Sequence, residues 1–347
     1  MTYRYRFGIV GCGVIGKTHA EAIASLPEAA LVAVADPVAE RRDALAERYA
    51  VHAYPDLQSM LNAETLDVVN VCTASGMHGE LACTAMRAGK HVVVEKPIEV
   101  TLPAIDEMLR VQRETGVKLA VISQHRFDPA SQRLHRLIAD RVLGTPVLGN
   151  AHILWWRSQG YYDSGEWRGT WVLDGGGVLM NQSIHSIDLL HWFFGPVQSV
   201  SAYTATRAHR METEDTAAAA LRFESGALGS IAASTSAYPG VSTRIEILGD
   251  RGSAIIENDR LRYLHLARDD REEVGPYGLE GTEQPPAEPG MDEGNTQNTH
   301  ALQIADMIDA IREDGTPLVD GMAARHDVAI ILAIYESART GREVMVP

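Results

Sequence analysis

Two short segments of this chain hold residue types whose spacing suits acid–base and redox chemistry. The first is Glu95-Lys96-Pro97, which directly follows the apolar run at residues 91–94. An ammonium group beside the end of a buried strand is costly unless it has a partner or a task. At the rim of a nucleotide-binding sheet, this position predicts that Lys96 takes part in redox chemistry on a hydroxyl or carbonyl group.

The second segment runs from Asp174 to Asp188 and contains a triple glycine followed by a helical pattern. Asn181 and His185 are four residues apart, which is the spacing of two residues on one helix face. Asp188 is three residues beyond His185 and is placed to orient its ring. A helix histidine is by default structural, but the neighbouring amide and the glycine bend favour His185 as a base that works with Lys96.

A glycine-rich turn near the start of the chain predicts a dinucleotide site. It follows a strand, opens a helix and precedes Asp36 by about twenty residues. The glycines allow the backbone to approach a pyrophosphate at the helix N-terminus. Asp36 is expected to accept hydrogen bonds from a ribose diol and to repel a 2′-phosphate, so NAD is favoured over NADP, although Arg41 and Arg42 could tolerate the phosphate. The residues assigned to the turn are Gly11, Gly13, Val14, Ile15 and Gly16.

Further cofactor contacts are expected where two later strands end. Ligands in open α/β sheets bind outside the carboxyl ends of the strands. Thr73 and Ala74 follow one such strand, and Glu95 and Lys96 follow the next. His78 either contacts the cofactor or caps the helix that follows, and the sequence leaves both roles open.

The order of elements predicts an α/β fold in two domains. Residues 1–125 alternate apolar strands with helices, which indicates a doubly wound parallel sheet that binds NAD(P). Residues 126–347 form the predicted substrate-binding and oligomerisation domain, with a large and mostly antiparallel open sheet. Its strands are expected at residues 149–156, 197–206, 216–223, 226–236, 242–249 and 253–257. Residues 275–296 read as a surface loop, and helices are expected at about 299–313 and 321–340.

Composition excludes several classes of partner. The formal net charge of −15 argues against nucleic acid and against an anionic membrane surface. No stretch reaches the roughly 18 apolar residues of a membrane span. Cys12, Cys72 and Cys83 have no metal-ligand spacing, so no metal is expected. Cys12 and Cys72 are predicted to be buried thiols, which would suit a reducing compartment. These features predict a cytoplasmic protein.

The chain resembles the Gfo/Idh/MocA oxidoreductases over essentially its full length. The resemblance rests on the early G-x-G-x-x-G, on E-K-P at residues 95–97, and on G-G-G…N-x-x-x-H-x-x-D at residues 175–188. It implies an N-terminal Rossmann domain and a C-terminal α/β domain whose open sheet packs against another subunit, giving a homodimer or homotetramer. It also implies a small-molecule substrate, since members oxidise or reduce sugars, inositols, sugar acids or nucleotide sugars with NAD(P).

The resemblance also implies roles for individual residues. Lys96 would lie between nicotinamide and substrate, and His185 matches the catalytic histidine. Asn181 stands where many inositol-dehydrogenase-like members have aspartate, and an amide cannot take a proton; Asp188 or Asp174 would then supply the missing charge. The predicted catalytic residues are Lys96, His185 and Asn181. The predicted substrate-binding residues are Lys96, Arg126, Arg157, Trp167, Arg168, Asn181 and His185. Each of the three arginines could instead form a structural ion pair.

Together these features predict an NAD-dependent dehydrogenase acting on a secondary hydroxyl of a sugar or cyclic polyol. His185 would take the proton, and Lys96 would stabilise the developing charge on oxygen. Two enzymatic alternatives stay open: an NAD-dependent glycosidase that oxidises its sugar transiently, and an NADP-dependent sugar reductase. A third alternative, a nucleotide-sensing binding module, is disfavoured because Lys96 and His185 are both present.

Overall fold

The fold is that of a computed structural model describing residues 4–267 and 298–347. These residues divide into two compact units, each assembled from separate stretches of chain. The first unit holds the described residues of Met1–Gln124, Asp163–Asn181 and Gln297–Val328, and the second holds those of His125–Tyr162, Gln182–Thr296 and Ala329–Pro347. The division of the sequence at residues 125/126 into two domains stays a prediction.

The first unit is built on a six-stranded parallel sheet. Its strands are β1 (Tyr5–Val10), β2 (Ala29–Ala35), β3 (His52–Tyr54), β4 (Val68–Val71), β5 (His91–Val94) and β6 (Leu119–Val121). Their order in the sheet is β3-β2-β1-β4-β5-β6. The strand order reverses direction between β1 and β4, and ligands of doubly wound sheets bind outside the strand ends at such a switch point. The predicted doubly wound parallel sheet is confirmed.

Helices flank this sheet and supply its apolar core. They are α1 (Val14–Ser25), α2 (Ala39–Tyr49), α3 (Leu57–Ala63), α4 (His78–Arg87), α5 (Leu102–Thr115) and α9 (Thr299–Arg312). Fully buried Phe7 and Ile9 of β1 pack in one cluster with Ile304 and Met307 of α9. Strands buried on both faces are expected to be this uniformly apolar. All three cysteines of the chain are buried free thiols.

The second unit contains an eight-stranded, mostly antiparallel sheet. Its strands are β7 (Pro146–Leu154), β8 (Val197–Ala205), β9 (Thr216–Phe223), β10 (Leu228–Ser234), β11 (Thr243–Gly249), β12 (Gly252–Glu257), β13 (Arg260–Leu266) and β14 (Val344–Met345). The order is β13-β12-β11-β7-β10-β9-β8-β14, and only the β7–β10 pair is parallel. Alternating burial along β9 shows that one face packs on a core and the other is exposed. This confirms the predicted large, mostly antiparallel open sheet.

The remaining helices connect or cover these sheets. They are α6 (Pro129–Ala139), α7 (Gln159–Asp163), α8 (Ile184–Phe194) and α10 (Gly321–Thr340), together with 3₁₀ turns at Ser75–Met77 and Gln124–Phe127. A π-helical segment, Val178–Ser183, precedes α8 directly. Among the described residues, no helix is both long enough and apolar enough to cross a bilayer.

The structure differs from the sequence-based elements in two respects. The strands β3, β13 and β14 and the helices α3 and α7 were not predicted. Asn181 lies in the π-helical segment, so the α-helical spacing assumed for Asn181 and His185 does not apply between them. The loop predicted at residues 275–296 lies outside the described residues.

Candidate active site

The glycine-rich turn joins β1 to α1 as the sequence predicts. Helix α1 begins at Val14, directly after Gly13, and no side chain caps its first turn. The N–H groups of that turn are therefore available to an anion, and the helix dipole adds positive character there. Of the residues assigned to this motif from the sequence, Gly11 and Gly13 lie in the connection between β1 and α1, and Val14, Ile15 and Gly16 lie in the first turn of α1.

The three glycines of the turn have different reasons to lack a side chain. Gly11 has φ of +97°, and a Cβ on it would lie 2.5 Å from the carbonyl oxygen of Cys72. A Cβ on Gly16 would lie 2.0 Å from the carbonyl oxygen of Gly11. A Cβ on Gly13 would meet nothing within 4 Å. Gly13 therefore borders open space that a Cβ would begin to fill, which fits a pyrophosphate approaching the backbone.

Asp36, directly after β2, is tied to the same turn. One carboxylate oxygen accepts a hydrogen bond from the N–H of Cys12 at 2.8 Å, and the other accepts from the N–H of Val38 at 2.8 Å. Each oxygen keeps a further lone pair, so Asp36 can still accept from a ribose hydroxyl. Arg42 donates to the backbone oxygen of Asp36 and to Asp43. These contacts give Arg42 a structural role beside the predicted ribose site.

Thr73 and Ala74 follow β4, the neighbour of β1, and lie at the same edge of the sheet as the glycine turn. His78, at the start of α4, is buried. Its Nδ1 lies 2.8 Å from the carbonyl oxygen of Pro97, and its Nε2 lies 3.2 Å from that of Thr73. Burial is the main reason that the pKa of His78 is lowered. These contacts favour the structural role of His78 over the predicted cofactor contact, which no observation tests.

Glu95 is a buried carboxylate that supports the segment carrying Lys96. One oxygen accepts from Nε2 of His19 at 2.9 Å, and the other accepts from the N–H of Lys96 at 3.1 Å. Burial alone would raise the pKa of Glu95, but hydrogen bonds from His19 and His300 hold it well below its usual range. Glu95 therefore stays ionised beside Lys96. Its predicted contact with the cofactor stays a prediction.

Lys96 directs its ammonium group towards Asn181 of the same unit. Nζ donates to the backbone oxygen of Asn181 at 2.9 Å and lies 3.5 Å from its side-chain oxygen. Burial lowers the pKa of Lys96, the charges of Glu95 and Asp174 oppose that change, and Arg168 adds to it. A partly desolvated ammonium of this kind can both donate a hydrogen bond and stabilise negative charge on an oxygen.

Asp174 supplies a carboxylate behind Asn181. The side-chain amide of Asn181 donates to one oxygen of Asp174 at 2.5 Å, and the N–H of Gly169 donates to the other at 2.8 Å. Asp174 is 1% exposed, and burial raises its pKa. The charge of Asp174 acts to raise the pKa of Lys96, which supports Asp174 as the carboxylate that supplies the charge missing from Asn181. Asp188 lies in the second unit, and the choice between the two carboxylates stays a prediction.

In the second unit, His185 lies in the first turn of α8, and Asp188 is one turn further on. Asp188 accepts three hydrogen bonds of 2.6–3.0 Å from the guanidinium of Arg126. Arg126 and Asp188 are 3% and 2% exposed. This buried ion pair is the structural alternative considered for Arg126, and substrate binding by Arg126 stays a prediction.

The other predicted substrate residues contact aromatic rings. Arg157, half-buried in the second unit, has its guanidinium 5.2 Å from the Trp155 ring and 5.1 Å from the Tyr161 ring, and donates to Gln182. Its Nε is buried without a hydrogen-bond partner in the described part of the chain. In the first unit the guanidinium of Arg168 lies 4.5 Å from the Trp167 ring. Both arginines therefore combine a charge with an aromatic surface.

The structure also brings forward residues that sequence reasoning did not assign. His125 contacts His185 in the second unit, with ring centroids 5.2 Å apart. His125 also faces Asp128 and Asp259. In the segment Gln124–Phe127 the sequence identifies only Arg126 as a candidate. It gives no signal for Asp259, because the contact of Asp259 with His125 depends on a hairpin that the sequence does not predict.

Comparison with known proteins agrees with this geometry. One family model, described as "Oxidoreductase family, NAD-binding Rossmann fold", matches residues 5–123, and a second, "GFO/IDH/MocA C-terminal domain", matches residues 131–255. Myo-inositol 2-dehydrogenase from Thermotoga maritima is 30% identical over 263 residues, which are 74% of this chain and 76% of that protein. An uncharacterized oxidoreductase of Bacillus subtilis, YrbE, is 31% identical over 266 residues, 75% of this chain and 76% of its own.

Solved structures extend the similarity to the whole chain. The WlbA dehydrogenase from Bordetella pertussis, crystallised with NADH and UDP-GlcNAcA, superposes with a TM-score of 0.87. It is 34% identical, and the match covers 99% of each chain. That protein was crystallised with NADH, which agrees with the NAD-binding description of the family model that matches residues 5–123 of this chain.

Proposed function

This chain belongs to the Gfo/Idh/MocA family and is an NAD-dependent oxidoreductase, and we propose that it oxidises a secondary hydroxyl of a sugar or cyclic polyol. The observation that carries the proposal is the position of the Lys96 ammonium group. Lys96 follows β5 at the same end of the parallel sheet as the glycine turn, and its Nζ donates to the backbone oxygen of Asn181. The relative named as myo-inositol 2-dehydrogenase supports a cyclic polyol within this class of substrate.

The chemistry divides between the cofactor and two side chains. The glycine turn and Asp36 would hold NAD, which would supply the acceptor for the hydride of the carbinol carbon. Lys96 donates a hydrogen bond to the substrate oxygen and stabilises its developing negative charge. His185, as the neutral imidazole, takes the hydroxyl proton. Asp174 keeps Lys96 charged through its field, and Asn181 holds the ammonium in place.

We propose Arg157, Trp167 and Arg168, with Lys96, Asn181 and His185, as the substrate-binding residues. Charged groups beside aromatic rings suit a ligand with hydroxyl groups and apolar C–H faces. Arginine also suits an acidic sugar, because a guanidinium binds a carboxylate through two parallel hydrogen bonds. The WlbA dehydrogenase, crystallised with UDP-GlcNAcA, supports including such acidic nucleotide sugars among the candidates.

We also propose that the protein is a cytoplasmic homodimer or homotetramer. On the face of the eight-stranded sheet that is turned to solvent, Leu228 is 51% exposed and pairs with Leu148, which is 37% exposed; Tyr203 on β8 is 82% exposed. Neighbouring exposed apolar side chains can mark an interaction site, whereas single exposed apolar residues are common on protein surfaces. Sedimentation equilibrium is expected to give a mass of two or four chains, and a monomer at all concentrations would contradict the proposed assembly.

A turnover assay tests the function. Purified protein is incubated with NAD or NADP and a panel of inositols, free sugars, sugar acids, glycosides and UDP-GlcNAcA; absorbance in the NAD(P)H band and release of free sugar are followed. We expect NADH to accumulate with at least one member of the panel. Turnover with NADP alone would favour the reductase alternative. Release of free sugar from a glycoside without NADH would favour the glycosidase, and no turnover at all would contradict the proposal.

A further inference from the structure

His125 and His185 form a pair of imidazole rings in the second unit. Their centroids are 5.2 Å apart and their planes meet at 75°, which is an edge-on contact. His185 belongs to α8, and His125 to the 3₁₀ turn Gln124–Phe127. Two titratable groups at this separation affect each other's protonation, because a charge on one ring disfavours a charge on the other.

The Arg126–Asp188 ion pair connects the two segments that carry the imidazole rings. Arg126 is the residue after His125, and Asp188 is one helical turn after His185. The guanidinium donates to both oxygens of Asp188 at 2.6–3.0 Å, and both side chains are buried. A charged pair with two parallel hydrogen bonds fixes orientation as well as distance. The 3₁₀ turn is therefore fastened to α8 beside His185.

Two carboxylates face the same nitrogen of His125. Nδ1 lies 2.7 Å from Asp128 and 3.2 Å from Asp259. Asp128 is buried in the segment that follows His125, whereas Asp259 reaches in from the turn between β12 and β13. Because carboxylates accept hydrogen bonds, Nδ1 carries a proton in both charge states of the ring. Nε2 is therefore the ring nitrogen of His125 that gains or loses a proton as the pH changes.

These neighbours favour the charged form of His125. Burial acts to lower the pKa of His125, but the hydrogen bond with Asp128 and the charges of Asp259, Asp128 and Asp188 outweigh it, so the pKa is raised. The groups that face the ring are thus Asp128, Asp259, Asp188 and His185, and Arg126 is its chain neighbour.

We propose that His125 is a positioning residue whose protonated ring keeps the neighbouring His185 neutral and ready to accept a proton. The inference rests on the proposed role of His185 as the base. A base that is already protonated cannot take the hydroxyl proton, so a fixed positive charge beside it extends activity to lower pH. His125 itself need not touch the substrate.

The direct test is a proton-NMR or carbon-NMR titration of the histidine rings in the full-length protein. The signals are assigned with His125→Gln and His185→Gln variants. We expect His125→Gln to raise the pKa of His185 by about one pH unit, because the opposing charge is gone. His125→Lys restores a positive charge and should leave His185 near its wild-type value. An unchanged His185 titration in His125→Gln would overturn the proposal.

Asp259→Asn provides a second variant with little risk to folding, because this side chain is half exposed. It removes one of the two carboxylates at Nδ1, so the pKa of His125 itself is expected to fall. A His125 titration that does not move would contradict the proposal. His152→Gln on β7 is the matched control, since it removes another partly exposed histidine of the same unit; it should move neither titration.

Kinetics then separate this inference from the proposed function. In kcat/KM against pH, the acidic limb of His125→Gln should move up by about one unit, with kcat at high pH preserved. If the NMR shift is found but no sugar or polyol is turned over, the pairing of the rings stands and the proposed function fails. If turnover is found but neither the NMR pKa nor the acidic limb moves, the proposed function stands and the role of His125 fails.

Discussion

At the scale of single residues, two carboxylates, Glu95 and Asp174, influence the charge of Lys96. Glu95 accepts from its backbone N–H, and Asp174 acts on its ammonium from behind Asn181. Burial lowers the pKa of Lys96, and the two carboxylates oppose that change. The amide at residue 181 is thus a spacer that holds the ammonium while the charge comes from Asp174.

Replacing Asp174 tests this arrangement. Asp174→Asn keeps the shape but removes the charge that raises the pKa of Lys96, so that pKa falls. If protonated Lys96 is needed for turnover, the basic limb of kcat/KM against pH should move about one unit lower. The double variant Asp174→Asn/Asn181→Asp exchanges the carboxylate and the amide, and it is expected to return the basic limb most of the way to its wild-type position.

Glu166→Gln serves as the control for that experiment, because it neutralises an exposed carboxylate in the same stretch of the chain. Its pH profile should match that of the wild type. A basic limb that stays in place in Asp174→Asn, with normal folding by circular dichroism, would show that Asp174 does not set the charge of Lys96.

Individual side-chain roles could be predicted from sequence only where a local motif carried them. E-K-P and the helix that follows the triple glycine identified Lys96, Asn181 and His185. The pairing of Arg126 with Asp188 spans 62 residues, and that of His125 with Asp259 spans 134, so neither spacing is visible along the chain. Such contacts become apparent only when the sheet order and turn geometry are known.

At the scale of elements, the glycine turn separates a structural requirement from a binding one. Gly11 needs a positive φ and lies against the Cys72 carbonyl, whereas Gly13 has φ of −72° and faces open space. Of these two glycines, Gly11 is therefore the one required by the fold itself. Gly13 is required by whatever approaches the N-terminus of α1.

Alanine at Gly13 and alanine at Gly11 should affect different properties of the protein, NAD affinity in the first case and folding stability in the second. Gly13→Ala is expected to weaken NAD binding at least tenfold, by on the order of 1.4 kcal/mol, while leaving the melting temperature unchanged. Gly11→Ala strains the backbone and meets a carbonyl, so it should lower the free energy of unfolding by about 1–3 kcal/mol. Calorimetric NAD titrations and thermal melts of both variants measure this. Equal effects of the two substitutions on melting temperature would contradict the assignment.

Element prediction succeeded where periodicity was strong and failed at weak signals. The buried strands β1, β4 and β5 are almost entirely apolar and were predicted closely. Strand β13 was missed because Asn258 and Asp259 form its turn with φ of 48° and 63°, values typical of a tight hairpin turn that usually contains glycine. Strand β3 is short and mostly exposed, so it has no apolar pattern to detect.

At the scale of the whole molecule, the two sheets differ in how far the sequence determines them. Alternating strands and helices lead to a parallel sheet by the rules of right-handed crossover. In the eight-stranded sheet, β7 lies between β10 and β11, far from its sequence neighbours, and pairs parallel with β10. Long-range pairing of this kind depends on which faces bury the most apolar area, and no local pattern encodes it.

Stability against acid should depend on Asp215, which is fully buried in the second unit. Burial alone would raise its pKa, but N–H donors of Ala208, Arg207 and His209 help to lower it to about 2. A carboxylate with a depressed pKa stabilises the fold above its unfolded-state pKa of 3.8, and this contribution is lost as the pH falls towards 2.

We therefore expect Asp215→Asn to lower the free energy of unfolding at pH 7 by about 2 kcal/mol. The difference from wild type should shrink between about pH 4 and pH 2. Urea denaturation at several pH values measures it, with Glu224→Gln as a control for an exposed carboxylate of the same unit. A destabilisation that is equal at pH 7 and pH 3 would argue against a charge effect.

The most direct measurement of the central claim is NADH formation by Lys96→Met, with saturating NAD and the best substrate from the panel. Methionine keeps the length of the side chain but cannot donate to a substrate oxygen. We predict that kcat falls about a thousandfold, that the Kd for NAD changes less than threefold, and that the control Lys90→Met matches the wild type. A kcat within tenfold of wild type would contradict the assignment of Lys96 to the reacting oxygen.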